Sequence, residues 1–194
     1  MCKSVIRTTV WTIGHSRHEF ELFASLLSDQ NIEVVADVRT FPSSKMAPDF
    51  NEPILKNKLL EVGVDYVFLG LELGGRPNDS AMYDDQGRVL YGPLASSKLF
   101  QNGLAKLTEL AQTRRVAMLC SEGKPDGCHR HLLLAKVLDQ NGLEVIHILP
   151  DGSLTSYTEI KPDEKQPTLF EFGDEEEWKS VLSVRPDLAQ RNFS

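Results

Sequence analysis

The residues with the most chemical potential are crowded into one short stretch, Cys120-Ser121-Glu122 followed by Cys128-His129-Arg130-His131. The reactive form of a cysteine is the thiolate, and a helix N-terminus or a cationic neighbour stabilises it. Cys128, at the start of an apolar helical run and next to His129 and Arg130, meets both conditions and is expected to act as nucleophile or redox group. Cys120 by itself reads as a small buried hydrophobe and is the second candidate. Arg130 with the free N–H groups of a helix start makes an anion cradle. Glu122 either orients these basic groups, pairs with Arg130 or caps the loop. Cys120, Cys128, His131 and His15 are also soft metal ligands, but seven residues between the cysteines is not a standard zinc spacing. No metal is assigned on that basis, and the cofactor is left open.

Three other short segments carry polar residues at the ends of apolar runs: Gly14-His15-Ser16, Asp37-Val38-Arg39 and Gly74-Gly75-Arg76. Histidine titrates near neutral pH, so His15 or His129 could move a proton, although His15 could equally hold a backbone carbonyl. Arg39, Arg76 and Arg130 are candidates for holding an anion, Arg39 by its planar fork, unless Asp37 and Arg39 form an ordinary ion pair. Ser16 is a candidate substrate contact. With Glu19 it also has the spacing of a capping box at a helix start.

These segments need a scaffold that brings them together. Val10–Ile13, Val34–Val38, Tyr66–Leu69, Val116–Leu119 and Val145–Ile148 are short, continuously apolar runs that predict buried strands. Between them, Phe20, Phe23, Leu26 and Leu27 predict a helix over about 17–30. Asn51 and Pro53 mark a helix start and Gly63 its stop, while Phe100, Leu104, Leu107 and Ala111 lie at helical spacing. Leu132–Leu138 is a further helix, closed by Asn141-Gly142. Strands alternating with helices predict an α/β fold: an open, mostly parallel, Rossmann-like three-layer sheet of about five strands flanked by helices. Ligands of such sheets bind beyond the carboxyl ends of the strands, where all four polar segments fall. The stretch from Gly70 to Ser96 has no clean period, and a connection that long is commonly functional.

The chain has 194 residues, 41% of them hydrophobic, enough for one domain with a proper core. Residues 1–150 hold that domain. Residues 151–194 form an acidic extension, with ten acidic and five basic side chains and a helix expected near 175–183. The net charge of −7 argues against a broad basic face for nucleic acid. The N-terminus lacks the apolar segment of a secretory signal, no stretch is long enough to span a bilayer, and three cysteines cannot all pair. A cytoplasmic protein without membrane contact is the expectation.

Together, Thr12-Ile13-Gly14-His15-Ser16, Asp37-Val38-Arg39 with Pro42-Ser43, Leu73-Gly74-Gly75, and Leu119-Cys120-Ser121-Glu122 with Cys128-His129-Arg130 resemble the DUF488 family. The resemblance covers roughly residues 10–150. It implies the fold and the motif positions and supplies no reaction, because the family is a domain of unknown function. In the extension, Gln166-Pro167-Thr168-Leu169-Phe170 is similar to the short Gln-x-x-Leu-Phe peptide by which bacterial DNA enzymes dock on the sliding clamp. Two functions follow as expectations. One is an enzyme for an anionic, phosphorylated or nucleic-acid-derived substrate. The other is a non-catalytic sensing or adaptor module linked to DNA maintenance through Gln166, Leu169 and Phe170, with a metal or redox protein using Cys120 and Cys128 as a further alternative.

Overall fold

A computed structural model describes residues 7–160, 178–182 and 184. The predicted α/β architecture is present. Its strands are β1 (Thr9–Gly14), β2 (Val34–Asp37), β3 (Asp65–Phe68), β4 (Val116–Cys120), β5 (Glu144–Ile148) and β6 (Leu154–Ser156), in the spatial order β3-β2-β4-β1-β5-β6. The first five are parallel, and β6 adds antiparallel to β5. The sheet thus has six strands rather than five. Leu154–Ser156 is too short and too exposed to show a period, and it forms because the turn after β5, with Gly152 at φ 84°, folds the chain straight back.

Side-chain alternation along the strands feeds two cores, one on each face of the sheet. Trp11, Ile13, Val35, Ala117 and Leu119 pack under α1 (Phe20–Asp29) and α2 (Glu52–Glu61), with Phe23, Leu27, Leu55 and Leu59 buried. Val10, Val34, Ala36, Val116 and Met118 point the other way. They meet α3 (Gly70–Leu73), α4 (Tyr91–Ser96), α5 (Lys98–Thr113) and α6 (Lys136–Gln140). All four α5 positions expected to be apolar, Phe100, Leu104, Leu107 and Ala111, are buried. Gly63 and Gly142 have positive φ where α2 and α6 end, as a left-handed stop requires. Among the described residues no helix is long and apolar enough to cross a membrane.

The Ser16–Glu19 capping box does not form. α1 begins at Phe20, its N-cap Glu19 makes no side-chain cap bond, and Ser16 sits at φ 51°. Pairing between β1 and β4 continues past both strand ends, with His15 N–H donating to the Cys120 carbonyl and Ser16 N–H to that of Ser121, both at 3.0 Å. That pairing uses Ser16 in the turn before the helix can start. The helix expected near 175–183 is also corrected over the described part. Lys179 bridges Leu90 antiparallel, Tyr91 N–H donates to the Trp178 carbonyl and Ser180 N–H to that of Val89. Trp178 decides this conformation. Its indole N–H donates to the Leu132 carbonyl at 2.8 Å, its ring meets Tyr91 edge-on at 5.8 Å, and Lys136 lies over its face. Gln166, Leu169 and Phe170 lie outside the described residues.

Candidate active site

The carboxyl ends of the three central strands β2, β4 and β1 lie side by side and deliver Asp37, Cys120 and Gly14-His15 to one edge. The sequence segments converge there in two groups, one on each face of the sheet.

On the α1/α2 face, Asp37 and Arg39 form a buried bidentate pair. Arg39 Nε donates to Asp37 Oδ1 at 2.9 Å and Nη2 to Oδ2 at 2.6 Å, while Nη2 also donates to the Phe50 carbonyl. The Tyr66 hydroxyl donates to Asp37 Oδ2 at 2.8 Å. Burial, then the Asp37 carboxylate, pushes the Tyr66 phenol well up. Arg39 is therefore in the ion-pair arrangement, not free as an anion fork. His15 stacks on Phe50 at 4.5 Å and its Nδ1 donates to the Ser16 carbonyl, which leaves Nε2 buried with no partner among the described residues. Burial and then Arg39 lower its pKa to about 4, so it is a neutral base.

On the opposite face is the sulfur cluster. Cys120 ends β4 on the side of Val116 and Met118. Cys128 starts the next helical segment, which runs as a wide π-type turn over Arg130–Ala135 before α6, a form frequent at functional sites. Cys128 Sγ donates to Cys120 Sγ at 3.1 Å. His129 Nδ1 stands 3.7 Å from both sulfurs, and His129 Nε2 faces the Val38 carbonyl at 3.2 Å. A carbonyl only accepts, so Nε2 carries hydrogen and Nδ1 is the atom that can take a proton from sulfur. Burial pulls the His129 imidazolium down, but the Cys120 sulfur, Glu122 and the Val38 carbonyl outweigh it, and the net shift is upward. Cys120 is held well below the ordinary thiol range, chiefly by the Cys128 hydrogen bond, against burial and with help from His129 and Arg130. Cys128 is pushed well above it by burial and by the Cys120 sulfur. The directions of the two shifts favour Cys120 as the thiolate and Cys128 as the donor, the reverse of the order in which the sequence ranks them.

Arg130 is the largest fully buried side chain among the described residues. Its guanidinium donates from Nη1 to the Glu122 carbonyl and from Nη2 to that of Gly123 at 2.7 Å, with Nε unpartnered among the described residues. It takes the two backbone carbonyls rather than the Glu122 carboxylate, which is exposed. The guanidinium has no carboxylate partner among the described residues, and its charge favours the ionised form of the Cys120 thiol. Gly14 is required by this clamp: a Cβ there would run into the Glu122 carbonyl and Arg130 Nη1. Gly14→Ala is expected to cost roughly 1–3 kcal/mol, the penalty of overpacking, as a lower melting temperature. Unchanged melting would mean the 121–123 loop is free to move.

Arg76 is exposed at the rim. Its N–H donates to Thr40 Oγ1, and the preceding Gly75 lies so close to the His129 ring that a Cβ would meet it at 2.8 Å. The groups that could share a metal ion are Cys120, Cys128 and His129, whose ligand atoms lie within 4.8 Å of one another; His15 and His131 are not among them. A cleft of about 480 Å³ on the far side of the 121–128 loop is lined by Lys124, Asp126, Pro150 and Thr155, among others. None of the sulfur, imidazole or guanidinium groups above lines it.

His131 belongs to a network that the sequence did not reveal. Thr12 Oγ1 and His147 Nδ1 are 2.7 Å apart, and His147 Nε2 and His131 Nδ1 3.1 Å, all buried. The signal available was a histidine and a threonine interrupting apolar strands at positions paired in register. Burial is the main cause that lowers His131 to about 4 and His147 to about 3. With His15, three histidines have folded pKa values below the unfolded value of 6.5. Their contribution to stability is present above pH 6.5 and is lost as the pH falls toward 4, at up to ~1.4 kcal/mol per pH unit for each. The melting temperature is expected to drop steeply between pH 6.5 and 5; a flat profile there would contradict the buried neutral assignment.

The fold and the cluster define an open parallel α/β protein with a dithiol–imidazole site at its central strand ends. The chain belongs to the family described as Domain of unknown function DUF488, whose model matches residues 19–137. The match takes in Asp37, Arg39, Cys120, Cys128, His129 and Arg130 and begins after the Gly14-His15-Ser16 strand end. No curated protein and no solved structure matches the chain.

Proposed function

We propose that the chain is a thiol-dependent enzyme acting on a small anionic, phosphorylated or nucleic-acid-derived substrate. Cys120 is the nucleophile, Cys128 the hydrogen-bond donor to its sulfur, and His129 Nδ1 the proton acceptor and donor, oriented by the Val38 carbonyl. The observation that carries this is the position of His129 Nδ1, 3.7 Å from both of two sulfurs that are themselves 3.1 Å apart. A nucleophile within reach of a base, with that base oriented by a third group, is the general arrangement of activated-nucleophile catalysis. Arg130 contributes the buried positive charge that favours the thiolate and would favour an anion arriving beside it, and Arg76 stands at the rim to steer one in. Asp37–Arg39 holds the neighbouring strand end in place.

Protection against alkylation tests this. Cys120 of the full chain is expected to react with iodoacetamide below the ordinary thiol pH range. Phosphate, sulfate, phosphate monoesters or nucleotides should slow that reaction along a saturating curve, more weakly in Arg76→Ala. Rapid alkylation that no anion slows would overturn the anionic-substrate part of the proposal.

A further inference from the structure

The two sulfurs are closer than hydrogen bonding between thiols requires, and they come from different elements, the end of β4 and the start of the π-type turn. Both are buried, with Cys120 6% exposed and Cys128 not at all. Burial of this degree favours a small oxidant such as a hydroperoxide over a protein disulfide. We propose that Cys120 and Cys128 are a peroxide-oxidised dithiol, with Cys120 the sulfur that is attacked by oxidant and Cys128 the sulfur that resolves it. The inference rests on the assignment of Cys120 as the nucleophilic thiolate and adds a second cysteine role and a substrate class.

The chemistry balances with the groups present. The Cys120 thiolate attacks the terminal oxygen of a hydroperoxide. The S–O bond forms as the O–O bond breaks, and the departing alkoxide, or hydroxide for hydrogen peroxide, takes the proton held on His129 and leaves as alcohol or water. Cys120 is now a sulfenic acid. Cys128 Sγ then attacks the Cys120 sulfur with loss of its proton to His129 Nδ1. The S–S bond forms, the S–O bond breaks, and the hydroxide leaves with that proton as water. Overall, one dithiol is oxidised to a disulfide and one hydroperoxide is reduced to alcohol and water. The sulfurs have to close from 3.1 Å to about 2.0 Å.

His129 serves both halves because Nδ1 is equidistant from the two sulfurs. The charge of Arg130 acts on both sulfurs and favours the thiolate that starts the sequence. A peroxide-reactive thiol next to a resolving cysteine is the arrangement expected of reversible oxidation, in which the disulfide spares the sulfenic acid from going further.

The test uses reduced full-length protein and one equivalent of hydrogen peroxide. Free thiols are then blocked with iodoacetamide, the protein is reduced, and newly exposed thiols are labelled with N-ethylmaleimide before peptide mass spectrometry. Cys120 and Cys128 are expected to carry the second label together, while Cys2, the remaining cysteine of the chain, carries the first. Cys128→Ser is expected to stop at a Cys120 sulfenic acid that dimedone traps, and Cys120→Ser to yield neither product. Both thiols left unoxidised, with Cys120 still alkylating readily at neutral pH, would overturn this inference and leave the thiol-enzyme proposal standing. Loss of that alkylation as well would overturn both.

Discussion

Asp37→Ala is expected to destabilise the protein by about 3–5 kcal/mol, the cost of removing one partner of a buried ion pair. Asp37 accepts four hydrogen bonds, from the Arg39 backbone N–H, Arg39 Nε and Nη2, and the Tyr66 hydroxyl. Its removal strands a guanidinium that is 4% exposed, with the Phe50 carbonyl as its remaining acceptor in that set. At that exposure little water reaches the group. The loss should be read from urea unfolding with an unchanged slope against denaturant, since the surface exposed on unfolding stays the same. A loss below about 1 kcal/mol, the size typical of an exposed pair, would show that Arg39 readily finds another partner and is available to hold an anion.

His129→Ala has the second large effect, on reactivity. The imidazole is one of the groups that holds the Cys120 thiol low, through its charge and through its contact with the sulfur. Each unit of thiol pKa regained is a tenfold loss of thiolate at a pH below it, so alkylation of Cys120 at neutral pH is expected to slow by roughly 10- to 100-fold. The slowing should vanish in alkaline solution, where the thiol ionises unaided. That convergence separates loss of a base from collapse of the site, which would leave the two proteins different at every pH. Equal rates at neutral pH would mean that the Cys128 hydrogen bond alone sustains the thiolate.

The two effects correspond to the two faces of the sheet, and they show how far the residues alone could be read. Continuous apolar runs such as Val34–Val38 and Val116–Leu119 have few alternatives to buried parallel strands. Their topology then gathers Gly14, Asp37 and Cys120 at one edge, so the fold and the convergence of these candidate residues were legible. What was not legible is the distribution of roles within it. Cys128 has cationic neighbours in sequence, yet its sulfur is buried and donates, while the negative charge is favoured on Cys120. That polarity depends on the hydrogen bond that Cys128 donates and on its complete burial against the slight exposure of Cys120, and no spacing encodes either. Arg39 was ambiguous for a related reason: a residue two positions from an aspartate can pair with it or pass beyond it, and the Phe50 carbonyl and Tyr66 hydroxyl that settle the matter come from other elements.

Ser16 and Trp178 illustrate local signals overruled by tertiary ones. The spacing of Ser16 and Glu19 suits a cap, but strand pairing past Gly14 claims the Ser16 backbone first. The acidic, helix-favouring run before Trp178 suggests a helix, but the indole is anchored to the Leu132 carbonyl and the segment pairs with Val89–Tyr91. Leu132 lies within the π-type turn that follows Cys128 and His129, so this anchor also buttresses the element that carries the cluster.

Cys120, not Cys128, is proposed to carry the thiolate. That assignment is tested most directly by titrating the ultraviolet absorbance of thiolate across pH in the wild type, Cys120→Ser and Cys128→Ser. A step below the ordinary thiol range is expected in the wild type and should disappear in Cys120→Ser. The step should persist in Cys128→Ser, where the serine hydroxyl can still donate to the Cys120 sulfur. A low step that survives in Cys120→Ser and is lost in Cys128→Ser, or no step below the ordinary range in the wild type, would contradict that assignment.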